Sequence, residues 1–322
     1  MNRRSFVHSL SSAALVGAFH VPCDGGTGGR PSGALSPDTD STVVIVRRVG
    51  LSQLKGDGRT GAYRTLLEEA FSTLGKTSLA QRVSGRNTIG LKANCLAGRP
   101  LSPSPELAQA LSGMLRDVGV REVTVWERTM RELTRAGFTA RGSFTIIGTD
   151  AVGYGRTIYE SGDVGSLLSN ALLNSDGLVS VGMLKDHDLA GISCVLKNLY
   201  GTIHNPNKYH DYNCNPYVAH VASLPPIRER LVLSVLDCAT AQCHGGPSYK
   251  PAWAWPFDGI LVSFDPVAAD RIAADLIEDQ RAIRELPTLE ADRRPPRWIE
   301  TAGLMGLGEH RRDAITVREV IV

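Results

Sequence analysis

Short apolar runs rich in β-branched residues alternate along this chain with segments of helical period, and that alternation limits the fold more than any other feature of the sequence. Thr42 to Val46 reads as a first strand, and Tyr63, Leu66, Leu67, Ala70, Phe71 and Leu74 follow at helical spacing. Thr88-Ile89-Gly90-Leu91-Lys92-Ala93-Asn94 is a second strand whose last residues are polar. Pro105 and Glu106 open a helix through Leu107, Ala110, Leu111 and Leu115 that ends at Gly119, and the strand Glu122 to Trp126 behind it completes a βαβ unit. Further strands are predicted at Phe144 to Ile147, Gly177 to Val181, Leu231 to Asp237 and Ile260 to Phe264, with a helix over Val164 to Leu173 and a late edge strand over Ala314 to Val322. Asp265-Pro266 supplies an N-cap and a proline at the first helical position, so a helix follows through Val267, Ala268, Ile272, Ala273 and Leu276. This order predicts an α/β fold built on a doubly wound, mainly parallel sheet with helices on both faces.

A chain of 322 residues, 42 % hydrophobic and 21 % charged, closes a core without staples, and its six cysteines do not make a scaffold. The formal charge of +2, with no basic stripe, excludes nucleic acid as the expected partner. Lysine is scarce, seven residues against 28 arginines, so the lysines retained stand where a compact ammonium is needed.

Residues 1–21 have the form of a twin-arginine signal: Arg3 and Arg4, the aromatic Phe6 two positions on, then a weakly apolar run from Ser9 to Val21 too short to span a bilayer comfortably. The expectation is a periplasmic or extracytoplasmic protein handled by the twin-arginine export machinery, tethered if the signal stays uncleaved. Residues 22–41 have linker composition, and 42–322 form a single α/β domain.

Polar residues at the carboxyl ends of parallel strands are the first candidates for chemistry, because open α/β sheets bind ligands there. Lys92 and Asn94 end the second strand; Lys185 and His187 end the strand that starts at Gly177; Lys197 and Asn198 follow after a short apolar stretch. Brought together, the three lysines make a pocket for a carboxylate or phosphate, and a partly desolvated lysine is lowered in pKa toward Schiff-base or general-base work. Lysines whose stems snorkel along the surface are the bland alternative. His187 is a candidate general base or metal ligand, and His204, His210 and Asp237 are candidates to complete a metal site, without the His-x-x-x-His spacing that would identify one. Asp265 is a helix cap or a substrate contact. Cys238 and Cys243 leave two readings open, a disulfide or a soft metal site.

The segment Lys185-Asp186-His187, followed ten residues after His187 by Lys197-Asn198-Leu199-Tyr200-Gly201, resembles the Lys-x-His and Lys-Asn-Leu-x-Gly signature of domain of unknown function family 362. Leu91-Lys92-Ala93-Asn94 is similar to that family's Val-Lys-Pro-Asn, with alanine for proline, and Phe264-Asp265-Pro266-Val267-Ala268-Ala269-Asp270 to its Thr-Asp-Pro-Val-Ala-x-Asp. Some members carry ferredoxin modules; this chain has no Cys-x-x-Cys-x-x-Cys run, so any redox coupling implied by the resemblance would need a partner protein. The interval from His187 to Lys197 is also similar to that of nickel-pincer lactate racemases, in which the lysine bears the cofactor. Val195-Leu196 stand here where those have a glycine pair, which leaves a fold-level analogy.

The function expected is an exported enzyme, a metal- or cofactor-dependent oxidoreductase or isomerase, acting on a small anionic molecule. In it His187, Lys197 and Lys185 are catalytic, and Lys92, Asn94, Asn198 and Asp265 bind substrate. The alternative is a non-catalytic periplasmic protein that binds an anionic ligand or cofactor.

Overall fold

Eight strands form the main path of the ten-stranded sheet that organises the molecule: β1 (Thr42–Arg47), β2 (Thr88–Ala93), β3 (Glu122–Glu127), β4 (Thr145–Gly148), β5 (Gly177–His187), β6 (Leu231–Gln242), β7 (Gly259–Ser263) and β8 (Thr316–Ile321). A computed structural model describes residues 41–75, 78–140 and 143–322, and the signal-like and linker residues up to 40 lie outside the described residues. The strands lie in the order β8-β1-β7-β6-β5-β2-β3-β4. From β6 to β4 every neighbour is parallel, as are β8 and β1, whereas β7 runs antiparallel to both β1 and β6. The predicted doubly wound α/β sheet is therefore the fold, and the described residues fall in one compact unit.

Side-chain alternation along the strands divides the interior into two layers. Leu91, Val125, Val179 and Val235 face α1 (Gly56–Leu74), α2 (Pro105–Asp117) and α3 (Met130–Ala136). Trp126, Leu178, Leu236 and Leu261 face α4 (Tyr217–Ala222), α5 (Pro266–Ile283) and α6 (Trp298–Leu304). Lys92 and Ser180 share the second face by the same alternation, opposite in register on neighbouring strands. Every residue of β5 is buried, which is why the central strand reads as a continuous apolar run rather than an alternating one.

Helix starts follow the expected chemistry. Ser104 caps α2 through Leu107 N–H, Thr129 and Glu132 form a reciprocal capping box on α3, and Asp265 caps α5 through the N–H groups of Val267 and Ala268. One expected helix is absent. Val164–Ser166 pairs with Tyr159–Ser161 as a small hairpin, and only Asn170–Leu173 is helical. Gly162, at φ +51°, turns the hairpin, and Ser169 restarts the chain as a cap on Ala171 N–H, so turn chemistry overrides the apolar spacing there.

Past the end of β2, β5 continues beside β6 as far as Lys185, opposite Gln242, and the chain folds back over it through Gly191–Ile192. Gly182 permits this, since a Cβ there would lie 2.2 Å from the carbonyl oxygen of Cys194. The returning segment is gripped from α5: the Asp270 carboxylate accepts Val195 N–H at 2.7 Å and Leu196 N–H at 2.8 Å, fully buried. Burial pushes this carboxyl up to about 7, against the pull of those two hydrogen bonds. Replacing Asp270 by alanine strands two buried N–H groups and is expected to cost about 2–4 kcal/mol. A urea midpoint that falls with an unchanged m-value is the measurement, and an unchanged midpoint would remove Asp270 from this role.

Candidate functional site

The carboxyl ends of β2, β3 and β5 meet the returning segment at one edge of the sheet, and a cavity of about 120 Å³ opens there. Lys92, Asn94, His187, Lys197, Asn198 and His210 line it, so stretches of chain more than 100 residues apart converge as the strand-end argument requires. The three lysines lie at this edge in three different electrical settings.

Lys92 is 1 % exposed, and its ammonium donates to Glu127 Oε1 at 2.7 Å, Ala93 O at 2.7 Å and Asn198 Oδ1 at 3.2 Å. The Glu127 carboxylate in turn accepts Cys95 N–H and Arg128 N–H. Gly201 makes room, because a Cβ there would stand 2.6 Å from the Lys92 nitrogen. All three ammonium protons are used inside the protein, so the expectation that Lys92 binds substrate is corrected: its charge is matched by Glu127 and its geometry braces the wall.

Lys185 is also 1 % exposed and donates to Asn94 Oδ1 at 3.0 Å, while Asn94 Nδ2 donates to Ser193 Oγ. Burial lowers it to about 8. It stands behind Asn94 and does not line the cavity, so it reaches a ligand only through that amide and is no longer a candidate for direct chemistry.

Lys197 is 6 % exposed, lines the cavity, and has no carboxylate in salt-bridge range among the described residues. Its nitrogen lies 3.2 Å from His210 Nε2 and 3.7 Å from the centre of the Tyr200 ring. Desolvation lowers it to about 8, opposed by the nearby Cys214 and Asp188. The ionisation of His210 is depressed, first by burial and then by Lys197, which favours the neutral imidazole. In the tautomer protonated at Nδ1, Nε2 accepts a hydrogen bond from Lys197.

His187 differs from expectation. Its Nδ1 accepts the N–H groups of Leu189 at 3.1 Å and Ala190 at 3.3 Å, and burial, followed by the charge of Lys197, lowers its ionisation to about 2. The Asp188 carboxylate also stands 3.0 Å from Nδ1, but that side chain is 61 % exposed and solvated, whereas the two N–H groups are fixed by the hairpin backbone. The ring is therefore neutral with its proton on Nε2, a hydrogen-bond donor rather than the general base the sequence suggested. Arg294 secures the end of β5 beneath it, donating to Asp186 Oδ2 and to the His187 carbonyl, each at 3.0 Å.

Several expected members lie elsewhere. Asp237 projects from the opposite face of the sheet, where it accepts Tyr63 O–H at 2.8 Å, Ser104 N–H at 2.8 Å and Ala239 N–H at 3.0 Å. Strand alternation, invisible at a bare strand end, sends it there. Asp265 uses both oxygens structurally, one on the α5 N-terminus and one on Ser41 Oγ and Glu309 N–H. His204 is exposed, its ring edge against Tyr154. The metal quartet of His187, His204, His210 and Asp237 thus does not assemble, and among the described residues no His, Cys, Asp and Glu cluster could hold a metal ion. Cys238 and Cys243 are both free thiols, bonded to the carbonyls of Leu236 and Trp253. Glu127 and Arg128 were missed, although they follow a predicted strand and fall under the same strand-end rule that singled out Lys92. Arg128 lines the cavity, and its buried Nε has no protein partner among the described residues.

A family model described as Domain of unknown function (DUF362) matches residues 89–275, more than half of the chain. The chain belongs to this family. No curated protein matches. Among solved structures, the lactate racemase apoprotein from Thermoanaerobacterium thermosaccharolyticum is 12 % identical, with 73 % of this chain and 57 % of that one covered at a TM-score of 0.44. A protein from Thermotoga maritima is 10 % identical, with 72 % and 61 % covered at a TM-score of 0.34. The chain spans less than two thirds of either.

Two substitutions separate the lysine environments. Glu127→Gln leaves Lys92 buried beside a neutral amide and is expected to destabilise by about 3–5 kcal/mol. Lys197→Met removes a buried cation whose folded-state ionisation lies below that of the unfolded chain, and is expected to stabilise by about 1–3 kcal/mol at pH 7. Between about 8 and 10.5 the unfolded chain holds a proton that the folded one has released, so wild-type stability rises with pH there and the gain of the variant shrinks. Guanidinium unfolding of both variants at pH 7 and pH 10.5 checks the signs.

Proposed function

We propose that this chain is an enzyme that binds a small anionic molecule in the cavity and moves a proton on it, with the amine of Lys197 as proton acceptor and the Nε2–H of His187 as donor to a substrate oxygen. The observation that carries the reading is a buried amine facing two neutral imidazoles with no carboxylate to hold its charge. A carboxylate neighbour would fix Lys197 as an ammonium ion. Without one, the amine gains or loses a proton near neutral pH and supplies either a cation for an anion or a base for an acidic C–H or O–H. A neutral imidazole that cannot ionise in the working range polarises an oxygen without competing for the proton. Arg128, whose fork suits a carboxylate, lines the same cavity and supports an anionic substrate. A volume of about 120 Å³ suits a small acid better than a nucleotide. The signal-like residues 1–21 support export as the setting.

The test is exchange of carbon-bound hydrogen for solvent deuterium, followed by NMR on acetate, lactate, malonate and pyruvate with the full chain. Ligand affinity is expected to be highest below pH 8, where Lys197 is protonated, and to fall above it; the exchange rate at saturation is expected to rise through pH 8 as the neutral amine forms. No inflection near pH 6 is expected from His187, whose ionisation lies far below. Saturable binding with no exchange on any of the four acids would turn the assignment to a binding protein, and a rate that ignores both pH 8 and Lys197→Gln would end the catalytic reading.

A further inference from the structure

We infer that Lys197 forms a Schiff base with the carbonyl carbon of a small 2-oxo acid. This deepens the reading above and rests on it, since it assigns the same amine and the same cavity a substrate class and a covalent step.

The three buried lysines differ in what an approaching carbonyl would meet. Lys92 has spent its protons on Glu127, Ala93 and Asn198, and freeing a lone pair would leave the Glu127 carboxylate buried without its cation. Lys185 is shielded by Asn94. Lys197 alone among them lines the cavity with no carboxylate in salt-bridge range among the described residues, and an amine desolvated in this way is the kind that adds to carbonyls. Its lowered ionisation agrees with the geometry.

The surrounding groups match the needs of each stage. The neutral amine adds to the carbonyl carbon, a C–N bond forms, and an ammonium proton moves to the oxygen to give a carbinolamine. His210 Nε2, 3.2 Å from the Lys197 nitrogen, accepts a proton from it and returns one as the hydroxyl departs as water. The C–O bond breaks, the C=N bond forms, and no oxidant or reductant is consumed. The Nε2–H of His187 donates to the oxygen while negative charge builds on it. The cationic iminium then lies against the face of Tyr200, whose ring centre is 3.7 Å from the nitrogen, in place of a counter-ion. Arg128 is the group on the cavity wall suited to the carboxylate of the same molecule.

The experiment is reductive trapping. The full-length protein is incubated with pyruvate and sodium cyanoborohydride, digested, and mapped by mass spectrometry, while calorimetry measures pyruvate binding in parallel. The expected result is a reduced pyruvyl adduct on the peptide bearing Lys197, at least about tenfold above that on the exposed Lys55, Lys208 and Lys250, whose amines lie in bulk water. Lys197→Arg, which keeps a cation and cannot form an imine, is expected to lose the adduct, and Lys185→Arg to keep it, both checked for native circular dichroism. An adduct spread evenly over the surface lysines, or centred on Lys185 or Lys92, overturns the inference. Lys197-dependent binding of pyruvate without any adduct overturns the covalent step alone and leaves the proton-transfer reading standing; absence of both binding and adduct removes the two together.

Discussion

The ion pair between Lys92 and Glu127 is the interaction on which the rest of the site depends. Both side chains are almost wholly buried, and a charge taken so far from water is tolerable only with its partner and its remaining hydrogen bonds in place. Those bonds tie together elements that share no sequence neighbourhood. Lys92 comes from β2, Glu127 from β3, and Asn198 from the turn carrying Lys197, which closes the network by donating to Lys92 O at 2.8 Å and to Ser180 Oγ on β5 at 3.1 Å. Breaking the pair would release a wall of the cavity as well as a charge.

The same geometry gives a physical reason for the motif segments to occur together. Lys92 meets Asn198, Asn94 meets Lys185, and Asp270 meets the backbone just before Lys197, so each segment is half of a contact completed by another. The aspartates of Phe264-Asp265-Pro266-Val267-Ala268-Ala269-Asp270 have separate tasks. Asp265 starts the helix, and Asp270, its fifth residue, reaches across to hold the segment that carries Lys197. A helix cap and a loop anchor are thereby locked at a fixed spacing by α-helical pitch, which a loop could not guarantee.

Much of this was legible in the sequence because two simple rules operate in parallel sheets: β-branched runs mark strands, and polar residues at their carboxyl ends mark the ligand edge. Lys92, Asn94 and His187 were found that way, and Lys197 and Asn198 through the Lys-Asn-Leu-x-Gly signature. The rules fail where the answer depends on which face a side chain takes or what it meets there. Asp237 ends an apolar run as Lys92 does, yet lies on the other face beside Tyr63. Asp265 has two occupied oxygens because the chain beyond α6 returns to it through Glu309, a contact 44 residues away. Glu127 follows a predicted strand, and its burial depends on the ammonium of Lys92 and the N–H groups of Cys95 and Arg128, none of which local pattern reveals. The Val164 to Leu173 helix failed for a local reason, since Gly162 and Ser169 impose turns that apolar spacing cannot override.

The contrast among the lysines also shows how this protein separates stability from chemistry. Lys92 is neutralised by a carboxylate, and it is structural. Lys197 is left against an aromatic ring and a neutral imidazole, an arrangement that burial alone makes unfavourable for a full charge. Evolutionary tolerance of such a residue makes physical sense when the cost of holding it is returned as reactivity, because an amine already close to losing its proton needs little further work to act as a base or nucleophile. His187 and His210 complete the logic by being neutral: two imidazolium ions beside Lys197 would repel its cation, and two carboxylates would fix it. Only neutral donors and acceptors leave the amine free to change state, and the hairpin N–H groups at His187 keep that ring in one tautomer.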